Sequence, residues 1–85
     1  MTIYLVYRAN DFAAGWVIDV DKIYSTIEKA SDYLKEELLW HKKRPKDWHS
    51  RGVVNDDGYL TKVFITATDR SGGRLMYWIE PRKIE

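Results

Sequence analysis

The residues of this chain that are best suited to chemistry lie in one basic and aromatic segment, residues 40–51. This basic segment holds five of the fourteen basic residues and two of the four tryptophans. Cations neutralise phosphate oxygens and flat rings stack on unpaired bases, so this composition is typical of a surface that binds single-stranded nucleic acid. The predicted RNA contacts are the cations Lys42, Lys43, Arg44, Lys46 and Arg51 and the rings Trp40, His41, Trp48 and His49.

Two other interpretations of the basic segment remain open. Cations are favoured at a helix C-terminus, and the two tryptophans could pack a loop onto the domain, so the segment could be purely structural. Alternatively, His41 and His49 could serve as general acid and base in RNA cleavage, or could join Asp47 around a divalent ion. Their spacing matches no metal-ligand or catalytic motif, so we predict no enzyme, no catalytic residue, no metal site and no cofactor.

The composition indicates one small folded domain that spans residues 1–85. Hydrophobic residues make up 45% of the chain, and there is no cysteine to form a disulfide or a thiolate metal site. The formal net charge is only +1, so any attraction for a polyanion must be local. Neither a signal-peptide pattern nor an apolar run long enough to cross a membrane is recognisable, so we expect a cytoplasmic protein.

One helix is predicted in the first half of the chain, after two strands. The strands are residues 2–8 and 16–21, which are rich in β-branched and aromatic residues, with a turn-like stretch between them. Ser25-Thr26-Ile27-Glu28 forms a capping box in which the Ser25 hydroxyl accepts from the amide of Glu28. The helix then continues to Pro45, and its apolar stripe recurs at helical spacing through Ile27, Ala30, Leu34, Leu38 and His41.

The second half of the chain predicts a loop and two more strands. The basic segment is expected to run as a loop to Gly52, and Asn55-Asp56-Asp57-Gly58 is a strong turn signal. Residues 59–68 and 74–80 favour a hairpin that ends at Pro81. The predicted fold class is therefore α+β, a four-stranded antiparallel sheet with one helix on one face, in the order ββαββ.

One helix covers only one side of such a sheet, so the other side is predicted to be a contact surface. Tyr4, Phe64, Met76 and Trp78 are expected on this dimer or partner face, with Lys62 and Arg74 at its margins. A small domain with a thin core favours a homodimer packed through this face, and the alternative is that the loop at residues 40–56 covers it. Aromatic residues flanked by cations could instead stack on RNA bases, although no RNP-like motif is present. The opposite, buried side is expected to take Ile3, Leu5, Ile18, Val20, Val63, Ile65, Leu75, Tyr77 and Ile79.

Three stretches of the chain resemble a group of small phage and bacterial ββαββ proteins. They are Thr2-Ile3-Tyr4-Leu5-Val6-Tyr7, Ser25-Thr26-Ile27-Glu28-Lys29-Ala30 and Met76-Tyr77-Trp78-Ile79-Glu80. In size and in its basic segment the chain is also similar to T-even phage inhibitors of the ToxN endoribonuclease toxin. The resemblance implies a homodimeric RNA-binding protein that neutralises a toxin–antitoxin defence. It also implies that the RNA contacts are Lys42, Lys43, Arg44, Lys46 and Arg51.

These features together predict a non-enzymatic, cytoplasmic RNA-binding protein without sequence preference. We expect a homodimer that acts as a phage accessory factor against a host defence enzyme such as an RNase toxin. The main alternative is a protein-binding inhibitor or adaptor that uses the same basic and aromatic patch without nucleic acid. The two hypotheses need the same exposed residues, so only the arrangement of those residues in the fold can favour one of them.

Overall fold

The computed structural model describes residues 1–13, 15–43, 48–67 and 73–85. These residues form one helix and a five-stranded sheet, in which every pair of neighbouring strands is antiparallel and the strand order is β2-β1-β5-β4-β3. The α+β class is confirmed, whereas the predicted number of four strands is wrong. The elements are β1 (Thr2–Ala13), β2 (Gly15–Tyr24), α1 (Ile27–Lys42), β3 (Trp48–Val54), β4 (Leu60–Ala67) and β5 (Arg74–Lys83).

The additional strand is β3, which replaces the second half of the predicted loop. Ser50 and Gly52 pair with Ile65 and Val63 of β4, and thus lie on the side of the sheet that the helix covers. A Cβ atom at Gly52 would lie 2.5 Å from Leu60 Cδ1 and 3.2 Å from a Leu38 methyl group of α1. The glycine therefore lets helix and sheet approach closely, and a polar run interrupted by glycine gives no strand signal in the sequence.

Strands β1, β2 and β5 are longer than predicted. Most of the stretch expected as a turn, residues 10–15, belongs to β1 and β2. Pro81 does not end β5, because at this position the strand pairs with Tyr4 of β1 after its last pair with β4, Trp78 with Lys62. Proline has no backbone N–H to donate. Where a strand has a neighbour on one side only, the other side has no hydrogen bond to lose.

The N-cap of helix α1 lies one residue after Ser25, the predicted N-cap. Its N-cap is Thr26, whose Oγ1 accepts from the amide of Lys29 at 3.3 Å, while the Glu28 carboxylate accepts from the Tyr59 hydroxyl at 2.9 Å. The apolar stripe is confirmed, because Ala30, Leu34 and His41 are buried. The turn at residues 55–58 is confirmed too. Its Asn55 Oδ1 accepts two backbone amides, and its Gly58 has a φ of 86° that favours glycine.

The hydrophobic core lies between α1 and one side of the sheet, which we call the covered face. Ser31 contributes a buried hydrogen bond between the two layers, because its Oγ accepts from the amide of Leu60 at 2.9 Å. Tyr4, Tyr24, Tyr33, Leu38 and Ile79 pack against the edge of the core. The buried core residues are Val6, Ala30, Leu34, Leu60, Val63, Ile65, Leu75 and Tyr77.

Three tyrosines of the covered face form an aromatic cluster. Tyr33 lies between Tyr24 and Tyr77, at ring-centroid distances of 6.0 and 6.4 Å. The Tyr33 hydroxyl donates to Asp21, and the Tyr77 hydroxyl donates to Glu37 at 3.3 Å. Burial, together with these carboxylates, raises the pKa of Tyr33 and raises the pKa of Tyr77 to about 12. The cluster is therefore held in the neutral, hydrogen-bonded form.

The expected orientation of β1 and β2 is wrong. Tyr4 was predicted on the partner face, yet it packs against the core, and its neighbour Val6 is fully buried there. Conversely, Ile18 and Val20 were predicted to be buried, but are 58% and 47% exposed. Both sides of β1 are apolar, so alternation in the sequence cannot choose between them. Pairing with β5, which sets Val6 opposite Ile79, decides the orientation.

Candidate nucleic-acid interface

The side of the sheet opposite the helix, here called the open face, displays two rows of side chains that cross all five strands. Residues that pair directly in an antiparallel sheet point to the same side, so the register defines each row. The first row, from β2 to β3, is Val20, Tyr7, Trp78, Lys62 and Val53. The second row is Ile18, Ala9, Met76, Phe64 and Arg51.

The centre of the open face is a stacked aromatic pair. The rings of Tyr7 and Trp78 lie with their centroids 5.3 Å apart and their planes 12° from parallel. Polar groups hold both rings at their edges. Arg82 Nη2 donates to the Tyr7 hydroxyl at 3.4 Å, and Trp78 Nε1 donates to Glu80 Oε1 at 3.2 Å. The pair is therefore fixed on the sheet surface rather than folded into the core.

Cationic groups lie beside the other aromatic rings of this face. The guanidinium carbon of Arg51 is 5.1 Å from the centre of the Phe64 ring, and that of Arg74 is 5.0 Å from the centre of the Trp16 ring. Both distances are within the range of a cation–π contact. Lys62 lies directly across from Trp78. In the described part of the open face, cations thus lie beside aromatic rings.

Asp11 fixes the position of Arg74. The carboxylate accepts from the Arg74 backbone amide at 2.6 Å and from Nε and Nη2 of its guanidinium at 2.8 Å each. Desolvation acts to raise the pKa of Asp11, but the bonds from Arg74 outweigh it and lower this pKa. With Asp11 and Glu80 as the acids, the named charged groups of the open face are dominated by the cations Arg51, Lys62, Arg74 and Arg82.

The structure divides the predicted RNA contacts of the basic segment. Lys42 and Lys43 are exposed at the end of α1, and Trp40 is exposed beside them. Arg51 lies on the open face, and His49 is exposed on the same strand. Arg44, Lys46 and the side chain of Trp48 lie outside the described residues, as does Asp47.

The prediction of His41 as an RNA contact is wrong. The residue is only 7% exposed, and the edge of its ring system meets Trp40 at a centroid distance of 4.6 Å. His41 completes the apolar stripe of the helix, so packing decides its position. The same helical spacing that predicted its place in the stripe explains its burial.

Three members of the partner face, Phe64, Met76 and Trp78, lie on the open face as expected. Lys62, expected at the margin of this face, lies in the first row, directly across from Trp78. Sequence analysis missed Tyr7, Trp16 and Arg82. Tyr7 and Trp16 were missed because the orientation of β1 and β2 was reversed. Arg82 was missed because Pro81 was predicted to end the strand. A strand that pairs on one side only can continue past a proline, and Arg82 then belongs to β5.

Other site classes receive no support within the described ranges. Among these residues, no three or more histidine, aspartate or glutamate side chains come together to hold a metal ion. The one described helix is not long and apolar enough to cross a membrane. In comparisons with known proteins, the chain matches no protein-family model, no curated protein and no solved structure.

Proposed function

We propose that the protein binds single-stranded RNA, without catalysing a reaction, through its open sheet face. The observation that carries this proposal is the placement of cations beside aromatic rings on neighbouring strands. The rings can stack on unpaired bases, and the cations can neutralise the phosphates that link them. Lys42 and Lys43, at the end of the helix on the other side of the sheet, are a second candidate site for phosphate contacts.

The stacked and cation-flanked rings favour nucleic acid over a protein partner. A protein interface needs buried apolar anchors in its centre and keeps its charges at the rim. On the open face, Lys62 of β4 lies directly across from Trp78 and so within its row, while Arg51 lies beside Phe64 on the edge strand β3. Cations that lie beside rings match a ligand that carries phosphates beside flat bases.

The proposed biological role is interference with a host defence enzyme, such as an endoribonuclease toxin that carries RNA. This role rests on the resemblance to small phage proteins described above. An RNA-binding surface would let the protein engage such an enzyme through its RNA. The rival proposal is an inhibitor or adaptor that binds the enzyme through protein contacts alone.

We also propose that the protein is a homodimer. Strand β2 lies at an edge of the sheet, and its Ile18, Val20 and Ile23 are 58%, 47% and 61% exposed. Edge strands of monomers are usually protected by charges or proline, and apolar side chains at an edge favour a second copy. Light scattering coupled to gel filtration tests this, since a dimer has twice the chain mass of 10.1 kDa.

The experiment that tests RNA binding is fluorescence anisotropy of a labelled single-stranded RNA across a salt series. With about four phosphate contacts, the log–log slope of affinity against salt should be near −3. The open-face variant Arg51→Glu/Lys62→Glu should lose most of the affinity. A matched control, Lys29→Glu/Lys35→Glu on the exposed side of α1, makes the same change in charge and should retain it.

A third variant, Lys42→Glu/Lys43→Glu, separates the open face from the end of the helix. If this variant alone loses binding, the end of the helix and not the sheet is the RNA site. No binding by the wild-type protein at low salt would remove the RNA proposal, and the protein-binding alternative would take its place. The absorbance ratio at 260 and 280 nm of the purified protein gives a first indication, because retained RNA raises it.

A further inference from the structure

A depression on the open face lies beside the exposed side of Trp78. Its volume is about 430 Å³, and it is lined by Lys62, Phe64, Met76, Tyr77, Trp78 and Glu80. Sites for small ligands usually have volumes of about 300–1,000 Å³, so this depression has the size for one small ligand. We call it the Trp78 slot.

Only one side of the indole ring can take a ligand. Tyr7 of β1 stacks on Trp78 with nearly parallel rings, and thus occupies the side that faces β1. The slot lies on the other side, toward β4, where Lys62 and Phe64 form its far wall. A flat ring in the slot would continue the stack that Tyr7 and Trp78 begin, and such offset stacking is favourable.

The polar groups of the slot are an ammonium group and a carboxylate. Trp78 Nε1 donates to Glu80 Oε1 at 3.2 Å, which anchors the carboxylate at the edge of the indole and leaves Oε2 able to accept further hydrogen bonds. A carboxylate accepts but does not donate, whereas the Lys62 ammonium donates but does not accept. The slot therefore selects a ring that presents N–H donors to Glu80 and an oxygen to Lys62.

Among the RNA bases, guanine fits this requirement best. Its Watson–Crick edge carries two adjacent donors, N1–H and the N2 amino group, beside the O6 acceptor. Uracil would place a carbonyl oxygen against the carboxylate, and adenine and cytosine each place a ring nitrogen acceptor beside their single amino group. We infer that the Trp78 slot binds one guanine base of a single-stranded RNA, with Glu80 as the residue that determines the preference. This inference rests on the proposed RNA-binding function.

The test compares four labelled 12-nucleotide RNAs by anisotropy: all uridine, and all uridine with one central guanosine, adenosine or cytidine. A single guanosine avoids guanine-rich secondary structure. The guanosine RNA should bind about tenfold more tightly than the other three, which is the size of discrimination expected from a two-bond contact with a base. Glu80→Gln should bring the ratio of the guanosine-RNA affinity to the all-uridine affinity to about one, because its amide nitrogen faces the donors of guanine.

The matched control is Asp56→Asn, which removes a carboxylate from the exposed turn and should keep the full guanosine preference. Equal affinity for all four RNAs would overturn the slot while leaving RNA binding in place. A guanosine preference that persists in Glu80→Gln would also overturn it. Binding to none of the four RNAs would overturn both the slot and the proposed function. Circular dichroism of each variant confirms that the fold is kept.

Discussion

The two sides of the sheet both contact aromatic rings, but they differ in how polar groups meet those rings. On the side that the helix covers, the hydroxyls of Tyr33 and Tyr77 donate to the carboxylates of Asp21 and Glu37, and Lys22 Nζ lies 5.9 Å from the centre of the Tyr33 ring. On the open face, rings lie beside the cations Arg51, Lys62 and Arg74. A ring whose hydroxyl is hydrogen-bonded to a carboxylate within the packed layers is fixed there, even with Lys22 nearby, whereas the open-face rings and their cations have no second layer over them in the part of the chain that the structure describes. The carboxylate bonds and the burial, rather than a nearby cation, separate the structural cluster from the proposed binding surface.

Adjacent residues of β5 give the largest expected difference between the two faces. Tyr77→Ala removes a ring that is 5% exposed and should lower the free energy of unfolding by about 3 kcal/mol or more. Trp78→Ala removes a ring from the open face and should cost about 1 kcal/mol, the scale of one cross-strand pair. Urea unfolding measures both values.

RNA affinity should follow the opposite order, so Trp78→Ala loses binding while its fold is kept. If Tyr77→Ala does not fold, Tyr77→Leu gives the same comparison with a smaller cavity. Equal destabilisation by the changes at Tyr77 and Trp78 would contradict the division of the sheet into a structural and a binding face.

Strand β3 allows a second comparison, between Gly52 on the covered face and Arg51 on the open face. Gly52→Ala places a methyl group against the buried Leu60 and should destabilise the fold by about 1–3 kcal/mol, as overpacking does. Arg51→Ala should change stability by less than about 0.5 kcal/mol and weaken RNA binding. Thermal unfolding and anisotropy measure the two effects. A stable Gly52→Ala protein would mean that Leu60 can move aside.

The tyrosine cluster should make the protein sensitive to alkali. The pKa of Tyr77 is raised from 10.0 to about 12, mainly by burial, and the pKa of Tyr33 is raised for the same reason. When a group has a higher pKa in the folded state, the stabilisation that it gives is complete below the unfolded pKa and is lost as pH rises through the folded pKa. The free energy of unfolding should therefore fall above about pH 10. The Tyr33→Phe/Tyr77→Phe variant should lose about 1 kcal/mol less than wild type between about pH 9 and about pH 11.5. Urea unfolding at several pH values measures the difference. An equal loss of the free energy of unfolding in both proteins would show that the tyrosine cluster does not cause the sensitivity to alkali.

The smallest effect is expected at the ion pair of the open face. The lowered pKa of Asp11 means that its bonds to Arg74 stabilise the fold above the usual value of 3.8 and are lost as pH falls through the lower, folded value. Asp11→Asn should therefore lower the melting temperature by about 2 °C at neutral pH. The difference from wild type should disappear in strong acid. A difference that is independent of pH would assign the effect to packing and not to charge.

Sequence patterns predicted the elements that rest on local signals. The helical stripe through Leu34, the turn at Gly58 and the β4–β5 hairpin each depend on residues close in the chain. The orientation of β1 could not be predicted, because both sides of that strand are apolar and only the distant partner Ile79 selects one. Strand β3 was missed since Gly52 depends on contact with Leu38 and Leu60, which local propensity does not encode.

The candidate site was predicted only in part, for the same reason. Its cations and rings come from all five strands, and only the register brings Tyr7 to Trp78 and Arg51 to Phe64. The basic segment was predicted as the site because its charges are contiguous in the sequence. Cations that the fold brings together from separate strands form no contiguous cluster in the sequence.

The pairing of β1 with β5 has a consequence for the synthesis of the protein. These strands form the centre of the sheet, and their partners, such as Val6 and Ile79, are separated by nearly the whole chain. The sheet therefore cannot close on the ribosome until β5 has left the exit tunnel. Until then the apolar residues of β1 and β2 stay without their central neighbour, and contacts this distant in sequence form slowly. We expect nascent chains that lack β5 to depend on chaperones, which ribosome-bound truncations can reveal.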